Sequence, residues 1–372
     1  MVDYIECYPE YLEFERSVRF ALNCLTLSFI PRNVLRGFEK FIFTFFSTYT
    51  VLTCLFSILN FEHNLMEYVL GVLILAGAFQ LLIKTLSIAI HLDELNVLFS
   101  FIRKVHQVHK MDSITKSSNN HLKRMLRIIK IILKIMIPVW MISASALVYQ
   151  AFYIGSVTLV VPGLIPEPDY DLNILLVHQF CIFIMATVMF LVVDIILVTI
   201  GFYFMAIFNI FRDRIKSLDN SGINDIKQYL INIHKFHVDI LNKFQLFDEI
   251  FNYAFAVQVG TSVVFILLIF FLLRIVGFLF IPLFLATSGQ FLFICLFGQL
   301  IFSKTEILFT ELYLTKWYEF NVKEQKMLLL MMYRAQKHFG LRAAGMYDIN
   351  LIMFIQVIKA GISFCAILYT FK

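Results

Sequence analysis

Long apolar runs, separated by short charged stretches, dominate the chain. A helix crosses a bilayer with roughly twenty mostly apolar residues, and seven segments reach that length: 38–59, 65–91, 128–155, 174–211, 254–273, 276–302 and 346–371. The fourth is longer than one crossing needs, so its C-terminal part is expected to run on as helix beyond the bilayer. The fifth and sixth are separated only by Arg274 and its neighbours, which predicts a very tight turn. Two further segments carry a helical period. In 223–247, Ile226, Leu230, Ile233, Phe236, Ile240, Phe244 and Phe247 recur at spacings of three and four. In 305–338, Ile307, Leu308, Leu312, Trp317 and the run Met327 to Tyr333 behave similarly. Their polar faces mix both signs, which favours mutual packing into a cytoplasmic bundle over lying on the membrane surface. Pro162, Pro166 and Pro168 break helix between the third and fourth runs. The pattern predicts an all-α, polytopic membrane protein, and with no Gly- or Pro-rich linker residues 1–372 read as a single domain.

Composition agrees. Hydrophobic residues make up 60% of the chain and charged ones 15%, against about 45–50% and 25% in soluble domains. Such an excess needs lipid as its solvent. The placement of Lys and Arg sets the orientation, because cytoplasmic loops retain them. The N-terminal arm has Arg16, Arg19, Arg32, Arg36 and Lys40; the second-to-third loop runs from Arg103 to Arg127 with seven basic residues. The fourth-to-fifth connection and the stretch before the last run are equally basic, while 60–67 and 156–173 have no Lys or Arg. The expected topology is therefore an N-terminus inside, seven crossings and a C-terminus outside, the reverse of a G-protein-coupled receptor. The acidic start, Met1 to Glu15, does not read as a cleaved signal peptide. The net charge of +5 comes without a basic stripe interleaved with aromatics, so no nucleic-acid partner is expected.

Little in the sequence points to catalysis or metal binding. No GxGxxG, Walker-type loop, HExxH or GxSxG occurs, and the chain reads as neither an enzyme nor a cofactor protein. Asp213-Arg214-Ile215 resembles a DRY triplet but follows the fourth run, so it reads as cytoplasmic charge. His106 and His109, like His234 and His237, sit three apart, but no further ligands complete a metal site. The six cysteines are scattered, with none in an expected outside loop, so no disulfide framework is expected. Ionisable residues inside spans are functional suspects. Lys84 and Asp194 fall at similar depth near the inner leaflet and read as a structural pair; Lys359, halfway along the last run, must face protein, water or a partner subunit.

The C-terminal residues carry a more specific signal. Leu312 to Tyr318 read LYLTKWY, Arg334-Ala335-Gln336 follow, then Leu341-Arg342-Ala343-Ala344-Gly345-Met346-Tyr347 and FIQVIKAGISF from Phe354 to Phe364. These roughly sixty residues resemble the signature of the insect odorant receptor family. The short fourth-to-fifth connection is similar to that of a tuning receptor and lacks the long insertion of the shared co-receptor; Ala344 departs from the family's AGGM-type turn. The resemblance implies an odorant-binding subunit of a ligand-gated, non-selective cation channel. Its partners would be the odorant-receptor co-receptor in a heterotetramer, small volatile odorants and membrane lipids, in the plasma membrane of an olfactory sensory neuron. The cytoplasmic helices would anchor the subunits and the last span would line the pore. A metabotropic seven-helix chemoreceptor and a secondary transporter are the rival readings.

Depth and chemistry select candidate residues. In the outer halves of spans two to five, Phe79, Ser145, Tyr149, Phe183, Thr187 and Phe265 combine aromatic surface with a few hydroxyls, as an orienting apolar pocket requires. Ordinary helix packing is the competing account of each. At the end of the last span, Ile367, Thr370 and Phe371 fall at i, i+3 and i+4 on one face and match the family's pore-facing positions.

Overall fold

The computed structural model describes residues 3–29, 37–60, 64–109, 112–154, 159–161, 172–219, 226–276, 281–337 and 339–370. They form ten α-helices: α1 Tyr8–Thr26, α2 Ile42–Asn60, α3 Leu65–Ile90, α4 Leu92–Val105, α5 Asp112–Ile154, α6 Leu172–Lys216, α7 Ile226–Val276, α8 Ile281–Tyr313, α9 Val322–Ala335 and α10 Leu351–Thr370. A two-residue antiparallel hairpin, β1 Arg342–Ala343 and β2 Tyr347–Asp348, precedes α10. The all-helical prediction holds. Five helical stretches, Phe38–Asn60, Leu65–Ile90, Asn173–Asp219, Ile226–Leu273 and Ile281–Tyr313, are long and apolar enough to cross a membrane. The charge-free half of α5 and the apolar Leu351–Phe364 of α10 pack beside them.

α6 is the central helix. Between Val193 and Phe211 nearly every side chain is buried, including Tyr203, Phe204, Phe208 and Phe211, as expected of a helix apolar all round its circumference. α5 and α8 pack on it, α7 packs on α3 and α8, and α2 lies outside α3. The outer faces carry exposed apolar residues such as Phe45, Leu52, Ile135, Val177 and Leu285, a surface that only lipid or a partner can satisfy.

Three elements differ from the sequence expectation. The amphipathic segment 223–247 and the fifth run are one uninterrupted helix, α7, of 51 residues. Only the character of the exposed face changes along it, and neither Pro nor Gly occurs between Ile226 and Val259 to stop it. The segment 305–338 is two helices instead of one: α8 runs to Tyr313, and α9 starts afresh at Asn321, whose side chain forms a capping box with Glu324. The last helix begins at Leu351 because the hairpin occupies 342–348. Its turn places Ala344 at φ 51 and Gly345 at φ 69. Both are left-handed, which explains why glycine suits position 344 and why alanine there carries strain. The hairpin packs on α7, and the residue that follows it sits directly on α8: a Cβ at Gly298 would lie 2.1 Å from the Ile349 carbonyl oxygen, so only glycine admits that approach.

Candidate ligand-binding site

A cavity of about 120 Å³ lies within the membrane bundle, walled by α2, α3, α5, α6, α7 and α8. Each helix contributes one face. From α3 come Leu73, Ile74, Gly77, Ala78, Gln80 and Leu81; from α6 come Ile182, Phe183, Ala186, Thr187 and Phe190, at helical spacing. α5 adds Trp140 and Ala144, α7 adds Phe265, and α8 adds Leu283 and Thr287. The walls are almost wholly apolar. The hydroxyls of Thr187 and Thr287 donate to the Phe183 and Leu283 carbonyls of their own helices, so each offers a ligand lone pairs only. Gln80 is the exception. It is 1% exposed, its Oε1 accepts a hydrogen bond from Thr261 Oγ1 at 2.9 Å, and its Nε2 has no partner. A buried amide N–H without an acceptor is costly, and a ligand oxygen in this cavity would relieve it.

Among the sequence-predicted residues, Phe183, Thr187 and Phe265 line this cavity together. Phe79, Ser145 and Tyr149 do not. Phe79 points outward, 46% exposed, between the inward-facing Ala78 and Gln80. Ser145 is exposed and donates to the Met141 carbonyl of its own helix, and Tyr149 is 59% exposed. One residue corresponds to about 100° of helix rotation, and depth alone leaves that rotation open. Lys84 Nζ and Asp194 Oδ1 form the expected pair at 2.7 Å, both buried. Gln290 Nε2 donates to the other Asp194 oxygen at 3.0 Å. Ile367 and Thr370 fall in the last turns of α10, and Phe371 lies outside the described residues.

This arrangement, an apolar cavity inside a bundle of long helices with a C-terminal hairpin and helix, has close structural counterparts. The chain matches the family described as 7tm Odorant receptor over residues 64–361. It belongs to that family. The fold is similar to the insect olfactory receptor OR5 from Machilis hrabei, with a TM-score of 0.77, 14% identity, and 99% of this chain and 100% of that one covered. The same receptor in complex with eugenol matches with a TM-score of 0.76 and 14% identity, over 98% of this chain and 100% of that chain. No curated protein matches in sequence. In this multi-pass odorant receptor, the candidate cavity holds one buried amide that was overlooked in the sequence. Gln80 is a lone amide within the 26-residue apolar helix α3; that isolation was the available signal. Trp140 and Phe190, stacked with centroids 5.5 Å apart and planes 12° from parallel, carry no comparable mark.

Proposed function

We propose that this odorant receptor is the odorant-binding subunit of a ligand-gated, non-selective cation channel, assembled with the family's co-receptor in the plasma membrane of olfactory neurons. The ligand is a small volatile molecule seated in the α3–α5–α6 cavity, with an acceptor oxygen on Gln80. The free Gln80 N–H in an apolar enclosure is the observation that carries this reading. A cavity near 150 Å³ lined by aliphatic and aromatic side chains holds one benzene-sized molecule, so about 120 Å³ fits a single small ring or short chain after modest side-chain adjustment. The channel has seven crossings with the N-terminus inside, which the basic flanks of Arg103–Arg127 and Arg212–Lys243 support. α10 lines the pore. In the single chain its exposed face carries Ile352, Ile355, Gln356, Lys359 and Ile362, and a charge halfway along such a helix belongs against water or another subunit. The chain performs no catalysis and needs no cofactor.

Expression with and without the co-receptor, with current recorded during odorant application, tests the reading. Ligand-evoked cation current should require both chains, and an N-terminal epitope should stay inaccessible in intact cells. Gln80→Leu should weaken oxygen-bearing activators by about fivefold, one hydrogen bond of about 1 kcal/mol, relative to pure hydrocarbons of the same size. An externally accessible N-terminus would favour the metabotropic alternative. An unchanged ranking in Gln80→Leu would remove the residue from the site.

A further inference from the structure

Beneath the Trp140–Phe190 stack lies a second cavity, of about 310 Å³, enclosed by α5, α6, α7 and α8. Trp140 lines both cavities. The mouth of the second is formed by Ile135, Leu285 and Gly289, all exposed on the outer surface between α5 and α8. The wall is apolar, and the polar side chains that line it are Asp194, Gln258 and Gln290. Asp194 is satisfied by Lys84 and Gln290. Gln258 is not: the side chain is 1% exposed, and neither its Nε2 nor its Oε1 has a partner. Buried amides with both ends unpaired are rare in native structures and mark a missing partner. Gly289 adds an independent sign. A Cβ built there would meet nothing within 4 Å, so this mid-helix glycine, unfavourable for helix stability, serves no close packing and leaves the mouth open.

We infer that this second cavity binds a neutral, membrane-dissolved amphiphile that enters between α5 and α8 and pairs its head group with Gln258. The amide presents a donor and an acceptor side by side. A primary amide head matches both at once, and an alcohol matches either. A charged head is excluded, because the Lys84–Asp194 pair is already neutral and no free counter-charge lines the space. Water alone is a poor occupant, since it needs several polar partners and most of the wall offers none. The mouth faces the apolar outer surface, where amphiphiles concentrate. This site does not depend on the first cavity's being the odorant site.

Photolabelling of the full-length receptor in lipid nanodiscs tests the inference, with a medium-chain primary amide carrying a diazirine as the probe. Adducts are expected on the segments Ile132–Trp140 and Leu285–Ile294, competed by the unlabelled amide and by the matching alcohol but not by the alkane of equal length. Gly289→Leu should abolish them by filling the mouth. Gln258→Leu, which keeps the bulk and removes the amide, should cut the preference for amide over alkane by about tenfold, the value of one to two hydrogen bonds. Ala144→Phe, which fills only the first cavity, should leave the adducts in place. Absence of saturable labelling on these segments, or amide preference unchanged in Gln258→Leu, would overturn the proposal. If Gly289→Leu yields no folded receptor, the Gln258→Leu comparison decides alone.

Discussion

Single residues carry the receptor's least tolerant interactions. Lys84 is buried against Asp194, with its ammonium 5.4 Å from the Phe190 ring centroid. Removing one partner of such a pair leaves an uncompensated charge and costs about 3–5 kcal/mol, whereas replacing both with apolar groups is often nearly neutral. Lys84→Met should therefore lower the thermal midpoint of the purified receptor far more than Lys84→Met combined with Asp194→Leu. Equal losses would show that the two charges do not depend on each other. His106 is a second case, at the C-terminal end of α4. Its ring stacks on Tyr11 at 4.2 Å, Nδ1 donates to the Ile102 carbonyl at 2.8 Å, and Nε2 has no partner. Burial pulls its pKa from 6.5 down to about 4, against the smaller upward pulls of the Ile102 carbonyl and Glu15. The folded state thus holds the neutral ring: its stabilisation is complete above pH 6.5 and is lost as pH falls towards about 4. The loss amounts to about 3 kcal/mol at most. A series of melting curves from neutral to acid pH should show His106→Phe losing less stability than the parent; parallel curves would remove His106 from the acid response. The Lys84–Asp194 pair was legible in the sequence because two charges stood alone at matching depth in apolar runs. His106 was not, since a histidine in a basic loop gives no sign that it will be stacked and buried.

At the scale of elements, the apolar pattern located the helices and left their continuity and rotation open. α7 was read as two pieces because hydropathy changes along it, although hydropathy reports what a helix touches and says nothing about where its backbone stops. The break before α9 was available in principle, because Asn321 and Glu324 have the spacing of a capping box. The rotation that leaves Ser145 and Tyr149 off the lining of the first cavity was open for the same reason: α5 is broadly apolar through its membrane half, so its sequence favours no one side. α9 has a functional consequence of its own. Leu328 and Met331 are buried, while Leu329 and Leu330 are 62% and 46% exposed beside Phe309, Tyr313 and Tyr333. In the proposed assembly that face packs on neighbouring subunits. Leu329→Asp with Leu330→Asp should reduce recovery of the complex severalfold, as read by size-exclusion chromatography, while the single chain still inserts. Full assembly of the doubly charged variant would place this face on the membrane surface instead.

For the whole molecule, the proposed pore and the proposed ligand cavity are joined by packing that runs through one helix. Phe265 of α7 lines the first cavity, Gln258 lines the second, and Phe270 lies against α10, where a Cβ at Gly361 would come within 2.8 Å of its ring. If the proposed pore narrows at Ile367, in the last turns of α10, a small polar replacement such as Ile367→Ser should raise basal current or alter ion selectivity, because an apolar ring closes a path by dewetting. The order of effective odorants should stay as it was. Basal current and selectivity unchanged in surface-expressed Ile367→Ser would move the gate elsewhere. The continuity of α7 has one further consequence. At about 1.5 Å per residue its 51 residues span about 77 Å, more than twice the apolar thickness of a bilayer. Its N-terminal amphipathic half and its C-terminal apolar half therefore share one winding phase. A single residue added between Phe247 and Gln258 would turn one half by about 100° against the other, swinging either Gln258 and Phe265 away from their cavities or Ile240 and Phe244 out of the hydrophobic core. A loop can change length without this coupling, but within α7 the residue count sets the facing of both halves at once.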